Sequence, residues 1–275
     1  MSVPPLSPSS ASSLPFLPPP SAVVARLRAA GCVFAEDEAA LLLAGAEGDG
    51  EALAASVARR AAGEPLEHVL GWAEFAGHRV KVGPGVFVPR RRTEFLVERA
   101  VRLAAAPAVA VDLCCGSGAV GVALLAAWEG VELHAADLDP RAVACARLNL
   151  GPAAAVYEGD LYAPLPARLR GRVEVLVANA PYVPTDAVAL LPTEARVHEP
   201  ATALDGGADG LTVLRRVIAD AARWLAPGGS LLVESGERQR PALLDALRSG
   251  GLTPRVAHCA EREATVLIGR RPDAD

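Results

Sequence analysis

Two textures divide this chain. From residue 21 to about residue 63, apolar side chains recur at helical spacing: Val23, Val24 and Leu27, then Ala40, Leu41, Leu43 and Ala44, then Leu53 and Val57. That period predicts amphipathic helices, and breaks at Gly31, Gly48 and Gly50 divide them into three short ones. After Pro65 short β-like runs take over, 79–82 and 86–88 around Gly83-Pro84-Gly85, which predict a hairpin linker before a helix over 93–105. Beyond Pro107 apolar runs and helical patterns alternate, with strands predicted at 108–113, 131–137, 153–157 and 173–179. A long irregular stretch follows, then a helix at 211–225, a strand at 230–234, a helix at 241–249 and a last strand at 264–269. Such alternation means parallel strands joined by crossover helices, an α/β fold with an open, doubly wound, Rossmann-like sheet. Ligands of these sheets sit at the carboxyl ends of the strands, so the chemistry is to be sought there.

Residues 1–20 are rich in Pro and Ser, with no basic leader and no unbroken apolar run, and predict a disordered lead-in, not a signal peptide or membrane span. No later stretch is long and apolar enough to cross a bilayer, so no membrane partner is expected. The 275 residues, 51% of them hydrophobic, suit one large domain and one small one. The pattern divides them into a tail (1–20), a helical domain (21–75), a hairpin linker (76–92) and a sheet domain (93–275). With 27 basic against 32 acidic residues the net charge is −5, which argues against stable nucleic-acid binding by phosphate neutralisation. The only basic clusters, Arg90-Arg91-Arg92 and Arg168, Arg170 and Arg172, read as solvated faces. Five scattered cysteines without paired metal-ligand spacing point to a reduced, cytoplasmic protein with no metal site.

At the end of the first strand of the sheet domain stands Asp112-Leu-Cys114-Cys115-Gly116-Ser-Gly118, opening a helix. Glycines let a ligand approach the backbone, and the helix N-terminus offers free N–H groups. Gly116 to Gly121 satisfies G-x-G-x-x-G, so a dinucleotide site has to be weighed. Asp137, closing the next strand, is placed to bond the ribose hydroxyls that nicotinamide and S-adenosyl cofactors both carry. Asp112 separates the two, because its charge repels a pyrophosphate and attracts a sulfonium cofactor that bears an ammonium group. The strand at 173–179 then ends in Asn179-Ala180-Pro181-Tyr182. A carboxamide, a free carbonyl and an aromatic ring at a strand end suit a planar NH2 group: Asn179 and the Ala180 carbonyl accept its protons, and Tyr182 packs on its face. Catalysis by such a site is mostly positioning.

These residues stand in an order that resembles the release-factor glutamine N5-methyltransferase family. The resemblance runs from about Ala22 to Gly269. It takes in Gly63-Glu-Pro65-Leu66, Val86 to Pro89 with Thr93-Glu94, Asp112 to Gly118, Asp137, Asn149 and Gly159-Asp160-Leu161. It continues through Asn179 to Pro184, Glu199-Pro200, Asp209-Gly210-Leu211 and Pro227-Gly228-Gly229. It implies a class I S-adenosylmethionine-dependent methyltransferase fold with an antiparallel last strand, preceded by a small helical domain. It also implies S-adenosyl-L-methionine as cofactor and, as protein substrate, the Gly-Gly-Gln motif of a peptide chain release factor. By the same resemblance Asp112, Cys114, Gly116, Gly118, Asp137, Asp160 and Asn179 hold the cofactor, and Asn179, Ala180, Pro181 and Tyr182 form the catalytic segment.

Three departures mark a divergent branch: Ala180 for a family proline, Cys114-Cys115 for Gly-Thr, and Arg91-Arg92 for Pro-Glu. The alternatives are an amino-methyltransferase acting on an adenine or guanine base, which poses the same NH2 geometry, a NAD-dependent oxidoreductase, which leaves Asn179 to Tyr182 without a role, and a silent adaptor that binds the cofactor without transferring its methyl group.

Overall fold

The computed structural model describes residues 17–274. The lead-in expected at 1–20 therefore lies outside the described residues up to position 16, and Pro20 already begins a helix. The chain forms two compact units that divide between Leu70 and Gly71.

The first unit holds α1 (Pro20–Ala29), α2 (Ala35–Gly45), α3 (Gly50–Ala61) and the short α4 (Leu66–Leu70). Pro20 suits the first turn of α1, where its missing N–H has no intrahelical partner to lose. Asp49 caps α3 by accepting from the N–H groups of Glu51 and Ala52. The core is Val23, Leu27, Ala35, Ala39, Leu42, Leu53 and Val57. On α2 the buried face differs from the one the sequence suggests, since Ala35, Glu38, Ala39 and Leu42 point inward while Ala40, Leu41 and Ala44 are exposed. From Ala39 to Gly45 the helix is apolar on every side, so periodicity alone does not choose a face there. Glu38 does: its buried carboxylate accepts from Arg60 Nε (2.6 Å) and Nη2 (3.0 Å) on α3.

The second unit begins with the hairpin β1 (Trp72–Phe75) and β2 (His78–Lys81). Its turn residues Ala76 and Gly77 both have positive φ (50° and 78°), the backbone of a type I′ turn. The hairpin thus pairs 78–81 with an upstream strand and not with 86–88. Pro84 and Pro89 deprive that segment of donors, and Val86 and Val88 instead pack with Ala73, Val82 and Cys145.

There follow α5 (Glu94–Leu103), β3 (Val109–Leu113), α6 (Ala119–Ala127), β4 (Glu132–Asp137), α7 (Pro140–Leu150), β5 (Ala154–Glu158) and β6 (Val173–Ala178). The short α8 (Thr193–His198) and α9 (Ala201–Leu204) lie in the irregular stretch. Then come α10 (Thr212–Trp224), β7 (Leu225–Ser235), α11 (Arg240–Ser249), β8 (Thr253–Cys259) and β9 (Ala264–Arg270). The sheet order is β5-β4-β3-β6-β7-β9-β8, with β9 antiparallel to both neighbours and the other pairings parallel. β8 is absent from the sequence reading because it is an edge strand with no apolar run and little burial. Along β3 alternate residues face opposite layers, Ala110 packing with Leu96, Leu124 and Trp128, and Val111 and Leu113 with Leu214 and Trp224. The chain leaves β3 toward β4 on one side and later returns to β6 on the other, so the strand order switches between β3 and β6. Their carboxyl ends open a crevice there.

Candidate active site

The crevice is walled by the ends of β3, β4 and β6, by segments 85–93, 159–161 and 200–203, and by Val213 and Arg216 of α10. Asp112, Cys114, Gly116, Asp137, Asp160, Asn179 and Pro181 all line it.

After β3 the backbone turns left-handed at Cys114 (φ 56°), Gly116 (φ 55°) and Gly118 (φ 80°). At Gly118 a Cβ would stand 3.2 Å from the Cα of Ala146 on α7, so both dihedral and space call for glycine. Cys114 holds the same kind of backbone with a side chain, at a cost of about 1 kcal/mol, which accounts for glycine being usual there. Burial, with Asp137 and Asp112 nearby, pushes the thiols of Cys114 and Cys115 up, so both stay protonated.

Asp137 accepts from the N–H of Gly116 at Oδ2 (2.8 Å) and from the N–H of Asp139 at Oδ1 (2.9 Å). Burial raises its pKa while these donors oppose the rise. Asn149 of α7 performs a second tie, donating to the carbonyls of Lys81 (2.9 Å) and Ser117 (2.8 Å) and accepting from the Lys81 N–H (2.8 Å). It fastens the glycine turn to the end of the hairpin. On the far wall, Glu199 is buried and accepts from the Val88 N–H and from Arg90, which fixes the 86–90 segment.

Asp112 is the electrostatic centre. It is 1% exposed, and its Oδ2 has no hydrogen-bond partner among the described residues. Burial, and then the charge of Asp137, push its pKa up to about 8. A buried carboxyl oxygen without a partner, on a residue that lines the cleft, suits an ammonium group, and Asp137 beside bare glycine backbone suits a ribose diol. The residues present therefore fit the S-adenosyl cofactor implied by the resemblance. Asp160 is not free to receive it alone, since its Oδ2 accepts from Arg216 at 2.5 Å across the cleft rim.

Asn179 follows β6, and its Nδ2 donates to the buried Thr93 Oγ1 at 3.3 Å, leaving Oδ1 as an acceptor. Ala180 is buried in the layer that holds Leu211 and Leu214, so the methyl group that replaces a family proline ring is part of the core. The structure does not bring Tyr182 into this cleft. Its ring lies in a neighbouring one, its hydroxyl donating to Glu234 Oε1 (2.9 Å) and its face below Arg92 (5.7 Å). Sequence reasoning missed Thr93 as the partner of Asn179, Arg216 as the partner of Asp160, and Glu234. Only Glu234 carried a readable signal, an acid closing an apolar strand as Asp112 does.

Comparison with known proteins accords with this geometry. The family model described as the methyltransferase small domain matches residues 78–208. The release factor glutamine methyltransferase of Mycolicibacterium smegmatis is 40% identical over 248 residues, spanning 84% of this chain and 88% of that protein. The chain belongs to the release factor glutamine methyltransferase family. A 4-amino-L-phenylalanine/4-methylamino-L-phenylalanine methyltransferase of Streptomyces pristinaespiralis is 36% identical over 214 residues, 75% of this chain and 72% of that one. Among solved structures, a methyltransferase from Pyrococcus furiosus has the same sheet fold, with a TM-score of 0.54 at 14% identity over 72% of this chain and 90% of its own. The class I methyltransferase fold, last strand antiparallel, is thus established for this family member. No helix among the described residues is long and apolar enough to cross a membrane.

Proposed function

We propose that this chain methylates the side-chain amide nitrogen of a protein glutamine, that of the Gly-Gly-Gln motif of a peptide chain release factor, with S-adenosyl-L-methionine as donor. The observation that carries the reading is the Asn179 carboxamide, pinned by Thr93 with its oxygen open, on the wall of the cleft that also holds Asp112 and Asp137. Bound there, the cofactor supplies a methyl group on a positively charged sulfur that leaves as a neutral thioether. Asp112 would take its ammonium, Asp137 its ribose hydroxyls, and the Asp160–Arg216 pair would border its base. Asn179 Oδ1 and the Ala180 carbonyl accept the two amide protons, which turns the nitrogen lone pair toward the methyl group. The nitrogen forms the new N–C bond as the S–C bond breaks, and then gives up one proton to solvent. No charged base takes part, so the rate rests on orientation and on the fixed dipoles at the strand end. A release factor substrate places the reaction in the cytoplasm.

The test is intact mass of unmethylated release factor after incubation with the enzyme and cofactor. A gain of one methyl group on the Gly-Gly-Gln glutamine is expected. Asn179→Ala should lower turnover by about 100-fold or more, a far larger loss than any in cofactor affinity. Normal turnover by that variant, or methylation of 4-amino-L-phenylalanine or a nucleic-acid base in place of the protein, refutes the reading.

A further inference from the structure

The segment from Asn179 to Tyr182 leaves the sheet at the end of β6, and at Ala180, whose carbonyl serves as an acceptor, no ring fixes φ. Its shape therefore depends on what holds its two ends. Both lead to one turn of 3-10 helix, Arg91–Thr93, that runs into α5. Thr93 Oγ1 accepts from Asn179 Nδ2 at 3.3 Å. Arg92 acts at the other end through Glu234, whose Oε1 takes Arg92 Nε at 3.0 Å and the Tyr182 hydroxyl at 2.9 Å. Glu234 lies near the end of β7, beside β6, and the pairing of Ala178 with Val233 sets it level with Asn179. One turn thus gauges the spacing between Asn179 and Tyr182.

The charges explain why this tie needs an arginine. The Glu234 side chain is 2% exposed, that of Arg92 47%. Glu234 Oε2 has no hydrogen-bond partner among the described residues. The tyrosine hydroxyl is a neutral donor, because burial and then the charge of Glu234 push its pKa well above the ordinary value. The charge of the buried carboxylate is balanced from the rim, by Arg92. Without that cation the fold avoids a buried, unpaired charge only by protonating Glu234 or by moving it toward solvent, and either change disturbs the acceptor on which Tyr182 rests. The family pattern has glutamate at this position, which beside Glu234 would repel, so the tie is a property of this chain. The Tyr182 carbonyl is held separately, by Gln239 Nε2 at 2.8 Å. Arg92 therefore governs the ring and the tilt of the segment, and not whether the segment folds.

We propose that Arg92 is a positioning residue for methyl transfer: by fixing Glu234 against Tyr182 while its neighbour Thr93 holds Asn179, it sets the angle at which the two acceptors meet the glutamine amide. This rests on the acceptor reading above. Arg92 acts through Glu234 and Tyr182 and does not line the cofactor cleft.

The decisive variant is Arg92→Met, which keeps an unbranched side chain and removes the charge. With full-length enzyme and unmethylated release factor its kcat should fall about 10-fold, with KM for the release factor and the dissociation constant for S-adenosylmethionine near wild type. Arg92→Lys, which restores a cation, should recover most of the loss. Tyr182→Phe should lower kcat by a similar factor and add little to Arg92→Met, because both act through one contact. Wild-type kcat in Arg92→Met overturns the inference. So does full additivity of the two variants, or a loss confined to KM, which would make Arg92 a group that binds substrate. If the wild-type enzyme leaves the release factor unmodified, the proposed function falls and this inference falls with it.

Discussion

Replacing Asp112 by Asn should make the empty protein more stable and the enzyme worse. Asp112 has its carboxyl pKa raised from 3.8 to about 8, chiefly by burial. An acid raised in this way has no effect on stability below its unfolded pKa. Above it, the unfolded chain ionises while the folded one still holds its proton, so stability falls with rising pH until the folded pKa is passed. Each unit is about 1.4 kcal/mol, so at about pH 7 the wild-type protein carries a penalty of about 4 kcal/mol that the asparagine lacks. The measurable form is a difference. Urea unfolding of both proteins should show the advantage of Asp112→Asn growing by about 3 kcal/mol from about pH 5 to about pH 7. Binding carries the opposite sign. An ammonium beside the carboxylate favours its ionised form, so cofactor binding near neutral pH should release a proton, read by calorimetry in buffers of different ionisation enthalpy. The asparagine variant should bind more weakly and release none. A stability difference that stays flat with pH would refute the assignment of Asp112 as a buried, largely protonated acid in the free enzyme.

Two further substitutions probe the scaffold. Asn149→Ala removes three hydrogen bonds between α7, the hairpin and the glycine turn, and should cost about 2 kcal/mol in chemical unfolding together with weaker S-adenosylmethionine binding; unaltered cofactor affinity would show that the turn holds its shape unaided. Glu38→Ala leaves Arg60, only 7% exposed, without its carboxylate and should destabilise the helical unit by about 3 kcal/mol, seen as an earlier helical transition by circular dichroism. An unchanged transition would mean the pair is replaceable by solvent.

Much of the site was legible because the fold class brings strand ends together wherever they stand in the chain. Asp112, Asp137 and Asn179 each close an apolar run, and in a parallel sheet the ends of such runs lie along one edge. Gly118 was legible for a different reason, since a strand-to-helix turn takes left-handed backbone and a close approach to the next helix, both of which favour glycine. The partners were not legible. Thr93 meets Asn179, Arg216 meets Asp160 and Arg92 meets Glu234 across long stretches of sequence, and hydrogen bonds of that kind leave no period in the chain.

The sequence by itself determined the alternating elements, the antiparallel last strand through its family likeness, and the acidic and carboxamide residues that end the strands. These follow from local periodicity and from residue chemistry, both of which act over a few neighbouring positions. Only the tertiary structure decided which upstream strand completes the hairpin, which face of α2 turns inward, and that Tyr182 belongs to a second cleft with Glu234 and Ser235. Each of those outcomes depends on what a side chain meets at a distance. The apolar run of α2 has no preferred face until Glu38 at its start finds Arg60, and a tyrosine has no preferred cleft until its hydroxyl finds a carboxylate.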